Sequence, residues 1–231
     1  MLNSLLVEAF EKLPQPQPGD DPDLLRAGVQ DAMREFRDLV RDRYTEGTLQ
    51  RLLLYGDRSS RRAAVMALAL TGTMKSNIVL AAALHDPDPV IRSSAADALW
   101  DIWFRGGTAD QNWQLQQALV LNDPQESIAA LAELIVQAPE FAEAYNQRAI
   151  LHYRRGDFGR AVSDCESVLR LNPVHFGAAS GMGQCYLRMN RPRSALRAFR
   201  QALDIYPDLD EVQEAIRHLE ATLGEERRDA E

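Results

Sequence analysis

Between Asp23 and Arg43 the apolar residues Leu25, Val29, Met33, Phe36 and Val40 return every three or four positions, with charged residues between them. That period matches the turn of an α-helix, so the segment is predicted to be one long helix with a single buried stripe. Near the other end, Val212, Ile216, Leu219 and Leu223 share one helical face while Glu211, Glu214, Arg217 and Glu220 lie mostly on the other, which predicts a second amphipathic helix over 210–223. A short amphipathic helix is expected over 1–13, set apart by a proline-rich linker over 14–22. The longest apolar runs, Ala63 to Leu70 and Ile78 to Leu84, fall far short of the roughly 20 residues that cross a bilayer, so no membrane insertion is expected.

The middle of the chain repeats. Pro139, Pro173 and Pro207 stand 34 residues apart, and each closes an amphipathic segment: Gln125 to Pro139, Phe158 to Pro173 and Pro192 to Pro207. Each segment carries a small residue where two helices must approach closely, namely Ser127, Ala161 and Ala195. A period of about 34 is that of tetratricopeptide helix pairs.

The stretch from Ala142 to Pro173, AEAYNQRAILHYRRGDFGRAVSDCESVLRLNP, resembles a tetratricopeptide repeat: Tyr145 is its large aromatic, Ala149 its small residue, Gly156-Asp157 its turn and Ala161 its close-contact alanine. The next repeat places Met182, Gly183, Tyr186, Ala195, Phe199, Ala202 and Pro207 at the matching sites, with Ala179 where a large aromatic is usual. The first repeat departs most, with Trp113 read as its core aromatic and its turn, Asn122-Asp123-Pro124, reached about two residues early for the ~34-residue template. Upstream, Asp88, Arg92, Ala95, Ala98 and Leu99 resemble a short HEAT repeat, and Asp57, Arg61, Ala64, Ala67 and Leu68 form a weaker copy in the same register. A lone helical hairpin cannot bury its apolar face and must stack on a neighbour. The implied fold is all-α: a right-handed α-solenoid with HEAT-like repeats over 23–107, three tetratricopeptide repeats over 108–209, a capping helix over 210–223 and an acidic tail over 224–231. The 1–13 helix is left two roles, a cap for the solenoid or a partner-seeking element.

Composition narrows the function. At 231 residues and 45% hydrophobic the chain has ample material for a folded core, and a net charge of −8 disfavours nucleic acid, whose binding needs clustered cations. Two cysteines, Cys165 and Cys185, make neither a disulfide framework nor a zinc site, and fit a reducing, cytoplasmic setting. The N-terminus lacks the basic region and cleavage site of a signal peptide. No P-loop, dinucleotide fingerprint, His-Glu-x-x-His or Cys-x-x-Cys occurs, and His85, His152, His175 and His218 are scattered without ligand spacing. Gly177 to Gly183 matches neither a phosphate loop nor a nucleophile elbow. An enzyme is not expected, nor a metal, nor a cofactor.

The resemblance also supplies a candidate surface. Arg148 stands where the family is apolar; Asp164 is its expected partner, as a structural clasp or as a ligand contact, with Cys165 a small core residue beside it. Mapped by resemblance, the concave surface is lined by Asn112 and Gln116 in the first repeat, by Asn146, Gln147, Ile150, Tyr153 and Arg154 in the second, and by Ser180, Gly181, Gln184 and Arg188 in the third. Amides there can bond a peptide backbone, Tyr153 offers contact area, and Arg154 and Arg188 suit the carboxylates of an acidic peptide. The carboxylate clamp of co-chaperones is missing, since Ile150, Gly177 and Gly181 replace its polar and cationic residues. A protein-binding scaffold or adaptor is the leading expectation. The alternatives are a lyase-like factor, because short HEAT repeats resemble those of bilin lyase subunits, and a co-chaperone without the clamp.

Overall fold

The computed structural model describes residues 2–14 and 22–228, with side chains over 5–14 and 28–224. Most of the 14–22 linker and the final residues of the acidic tail lie outside them. The described residues hold thirteen α-helices, and the chain divides into two compact units, Met1–Ile102 and Trp103–Glu231.

The first unit begins with α1 (Leu2–Glu11) and α2 (Pro22–Arg43), continues through α3 (Glu46–Tyr55), α4 (Arg58–Thr71) and a short 3-10 turn (Met74–Ser76), and ends with α5 (Asn77–Ala83) and α6 (Pro89–Phe104). The boundary between units falls inside the last turn of α6. Of the stripe expected on α2, Phe36 and Val40 are buried, and Leu25 lies outside the described side chains. Helix α1 packs on α4 and α2, with Leu6 fully buried and the Phe10 and Phe36 rings 6.5 Å apart, so it covers apolar surface of its own unit.

Helices α4 and α6 begin by one local device repeated 31 residues apart. Asp57 accepts a hydrogen bond from the Ser60 backbone N–H at 2.8 Å, and Asp88 from that of Val90 at 3.1 Å, each satisfying a helix N–H that has no partner inside the helix. Four residues on, Arg61 reaches back to the Gly56 carbonyl and Arg92 to the carbonyls of Asp86 and Pro87. Ala64, Ala67 and Leu68 on α4, and Ala95, Ala98 and Leu99 on α6, are all fully buried. Small residues in this register let the helices approach closely. The two helices are tied by charge as well: Arg62 grips Asp88 through two bonds of 2.6 and 3.1 Å, Arg58 adds a third at 2.9 Å, and Arg61 grips Asp86 at 2.8 and 3.1 Å. The guanidinium groups of Arg62 and Arg58 hold the Asp88 carboxyl well below the usual carboxylate range.

The second unit is a succession of antiparallel helix pairs: α7 (Ala109–Leu119) with α8 (Pro124–Gln137), α9 (Ala142–Arg154) with α10 (Phe158–Leu171), and α11 (Phe176–Arg188) with α12 (Pro192–Ile205), followed by α13 (Asp210–Arg228). Successive pairs touch through α8–α9 and α10–α11, and α9 also meets α11, so the first helices of the pairs line one side. The turns of the second and third pairs are closed alike. Gly156 (φ 82°) and, 34 residues later, Asn190 (φ 54°) take the left-handed conformation, and the following N–H groups of Asp157 and Arg191 bond back to His152 and Tyr186. Ser127, Ala161 and Ala195, the close-contact residues of the three pairs, are 3%, 0% and 0% exposed.

Three expectations are corrected. Trp113 is not a core aromatic; it is 61% exposed, while Leu115 and Ala118 form the buried face of α7. Counting 34 back from Asp157 and Pro173 reaches Asp123 and Pro139, so the first pair keeps the full period and Gln111, not Trp113, takes the place of Tyr145. Gln111 is consumed there by a capping box with Thr108. Ala179, standing where a large aromatic is usual, is fully buried beside Phe199, Val212 and Ile216, and Phe176 supplies the aromatic one turn earlier, packed between Trp103 and Tyr206 at 5.3 and 5.2 Å. Helix α13 runs past Gly224 to Arg228, since the residues after that glycine are good helix formers.

Candidate peptide-binding groove

The side lined by α7, α9 and α11 holds the residues expected at a binding surface, and the structure sorts them into engaged and available groups. Engagement centres on Glu143 in the first turn of α9, which is 1% exposed. One of its carboxylate oxygens accepts from Asn146 at 2.9 Å and Gln147 at 2.6 Å, and the other faces His175 Nε2 at 3.2 Å. His175 Nδ1 accepts from the Ala178 backbone N–H at 3.0 Å, so the ring proton sits on Nε2 and is donated to Glu143. The His175 ring is fully buried and stacks on Trp103 with centroids 3.9 Å apart. A buried carboxylate is tolerated only when fully bonded, and here the two groove amides Asn146 and Gln147 supply part of that bonding. Asn146, 3% exposed, is thereby withdrawn from the surface.

Asn112 is likewise occupied, bonding both backbone groups of Gly107 at 3.0 and 3.1 Å. Tyr153 packs edge-on against Phe158 at 5.6 Å, and Arg188 lies over both rings, 5.0 Å from Phe158 and 6.0 Å from Tyr153. Gly181 faces the preceding pair: a Cβ there would meet Cys165 Sγ on α10 at 3.9 Å. A Cβ on Gly183 would stand 2.5 Å from the Phe199 ring, which only glycine avoids. Ser180 and Ile150 are half-buried.

Available to a ligand are Gln116 and Gln184, whose side chains bond nothing among the described residues, the exposed Arg154 and Arg188, and Trp113. Trp113 shares the register of Gln147 and Gly181, at intervals of 34 residues, and on α7 it stands one and two turns from Gln116 and from Val120, which is 72% exposed. Sequence reasoning missed it as a surface residue, although the Asp123–Asp157 spacing marks its true register.

Arg148 and Asp164 pair between α9 and α10 through two bonds of 2.9 and 2.6 Å. The bond to Asp164 raises the Arg148 pKa, and the two-point geometry makes this a clasp within one helix pair. Beside it, burial lowers the pKa of His152, whose Nδ1 is 3.7 Å from the Asp157 carboxylate. Burial pushes the thiols of Cys165 and Cys185 up to about 12 and about 11, which leaves both as protonated packing groups at neutral pH. Among the described residues no three His, Cys, Asp or Glu side chains are gathered to hold a metal ion, and no helix is long and apolar enough to cross a membrane.

Comparison with known proteins bears on the same segment. A tetratricopeptide-repeat family model matches residues 140–208. A TPR repeat-containing protein of Rhizobium etli is 34% identical over 62% of this chain and 72% of its own length. The small glutamine-rich tetratricopeptide repeat-containing protein 2 of Saccharomyces cerevisiae is 28% identical over 53% of this chain, which spans only 39% of that relative. Among solved structures, the first tetratricopeptide domain of Spaghetti, bound to an HSP90 peptide, is 21% identical, covers 50% of this chain and 88% of its own, and superposes with a TM-score of 0.43.

Proposed function

This chain belongs to the tetratricopeptide-repeat family, and from that premise we propose that it is a non-enzymatic scaffold or adaptor that binds an extended peptide segment of a partner protein along α7, α9 and α11. The observation that carries the reading is Trp113, a large aromatic 61% exposed at a groove register whose counterparts are internally bonded or packed. Exposed aromatics are costly on a surface and are enriched where partners bind. Val120 extends the apolar contact, Gln116 and Gln184 offer free amides to a peptide backbone, and Arg154 and Arg188 favour acidic residues. The partner is thus a segment with an apolar residue for Trp113 and carboxylates for the arginines.

Titration of the full chain with a proline-containing extended peptide, carrying aliphatic residues beside glutamates, tests this. Trp113→Ala should weaken binding by about 2 kcal/mol, and an Arg154→Ala/Arg188→Ala pair by about 1 kcal/mol with a flatter salt dependence. Wild-type affinity in both variants would remove the groove from consideration.

A further inference from the structure

The first unit carries a second apolar surface that its own packing does not use. Helices α3 and α5 lie side by side, joined at one end by a polar seam: Glu46 accepts from the Thr73 backbone N–H at 2.8 Å and from the Ser76 hydroxyl at 2.6 Å, and Gln50 donates to the Lys75 carbonyl at 3.1 Å. Further along, the seam gives way to a cavity of about 290 Å3 between Leu53, Leu54, Val79, Ala82 and Pro87, with the Arg61–Asp86 pair in its wall. Leu54 is 44% exposed, and the adjoining Tyr55 and Ile78 are 82% and 65% exposed. Both helices already bury another face, through Leu49 and Leu52 on α3 and Leu80 and Ala81 on α5. The exposed residues are therefore surplus to the core.

The charge around this face is net positive. Arg51, one turn before Leu54, bonds the Thr48 hydroxyl and makes no ion pair among the described residues, while Lys75, one turn before Ile78, interacts by charge with Glu46. Asp86 is neutralised by Arg61, and Glu46, bonded by the neutral Thr73 and Ser76 groups, keeps a charge that Lys75 balances. In a chain of net charge −8 this is a local apolar patch with one surplus cation, Arg51.

We propose that the α3–α5 face docks an amphipathic helix of a partner protein, with an aliphatic side chain in the cavity and a flanking carboxylate meeting Arg51. The site lies wholly within the first unit and does not depend on the groove reading. Its test uses a synthetic amphipathic helical peptide with leucines on one face and glutamates on the other, and a twin with lysines for the glutamates, each titrated into the full chain by fluorescence anisotropy. All titrations are repeated in the Trp113→Ala chain, so that groove binding is separated. The glutamate peptide should bind roughly 10-fold or more tightly than its twin in both chains, and Ile78→Glu should weaken it by at least about 10-fold. Arg51→Glu, a change at an exposed residue, should do the same and flatten the salt dependence. Both variants should keep the wild-type melting temperature. No binding by the intact chain, equal binding of the twins, wild-type affinity in Ile78→Glu, or loss in Trp113→Ala alone would overturn the proposal.

Discussion

The first and second helix pairs of the C-terminal unit share one 34-residue frame yet present opposite surfaces. In the second, the groove amides turn inward to Glu143, which is itself held by His175, and Tyr153 is covered by Arg188. In the first, the position of Glu143 is Ala109, no buried carboxylate calls on the neighbouring side chains, and Trp113 and Val120 are left facing water. The same register therefore yields internal bonding in one pair and an exposed apolar face in the other. In the second pair a buried charge has consumed the polar groups; in the first, backbone groups hold Gln111 and Asn112 and the indole is what remains exposed.

The largest expected effect would break the packing of the third pair, against which the second is stacked. Gly183→Leu should destabilise the second unit by about 3 kcal/mol, because even its Cβ would overlap the Phe199 ring 2.5 Å away; thermal or urea unfolding checks this. Asp164→Ala should cost nearly as much, about 3 kcal/mol, by leaving the partly buried Arg148 guanidinium without its two bonds, again read by unfolding.

The contrast between those two sites shows what was legible in the sequence. The Arg148–Asp164 clasp was readable because its residues lie 16 apart within one helix pair, where the family template fixes which positions face each other. The buried alanines of α4, α6, α10 and α12 were readable from register for the same reason. The Glu143–His175 bond was not, because it joins different pairs across 32 residues and neither residue is unusual for an exposed helix end. Without it, Asn146 and Gln147 looked like free surface amides. Trp113 was misplaced because an aromatic near a helix start suggests core, whereas the capping box at Thr108 and Gln111 had already set the helix phase.

Glu143→Gln keeps the shape but removes the negative charge that His175, Asn146 and Gln147 converge on, and it should cost about 1 to 3 kcal/mol while freeing Asn146 and Gln147 to exchange partners. Amide hydrogen exchange in α9 and α11 should rise in that variant. In the other unit, acid acts through Asp88. Its folded-state pKa is depressed, so its stabilising contribution is complete above the unfolded value of about 4 and is lost as pH falls below it towards the folded value. Melting of the first unit should drop across that acid range, and Asp88→Asn should flatten the drop while lowering stability at neutral pH.

The smallest effect on stability carries the most for function. Trp113→Ala should change unfolding by less than about 0.5 kcal/mol, since the side chain is mostly in water. The central claim is that the same side chain anchors a peptide, and the indole N–H resonances of the 15N-labelled chain test it during titration with the extended acidic peptide. The Trp113 indole signal should shift to saturation while that of the buried Trp103 stays in place. A Trp113 signal that does not move when other resonances report a saturated complex would contradict it.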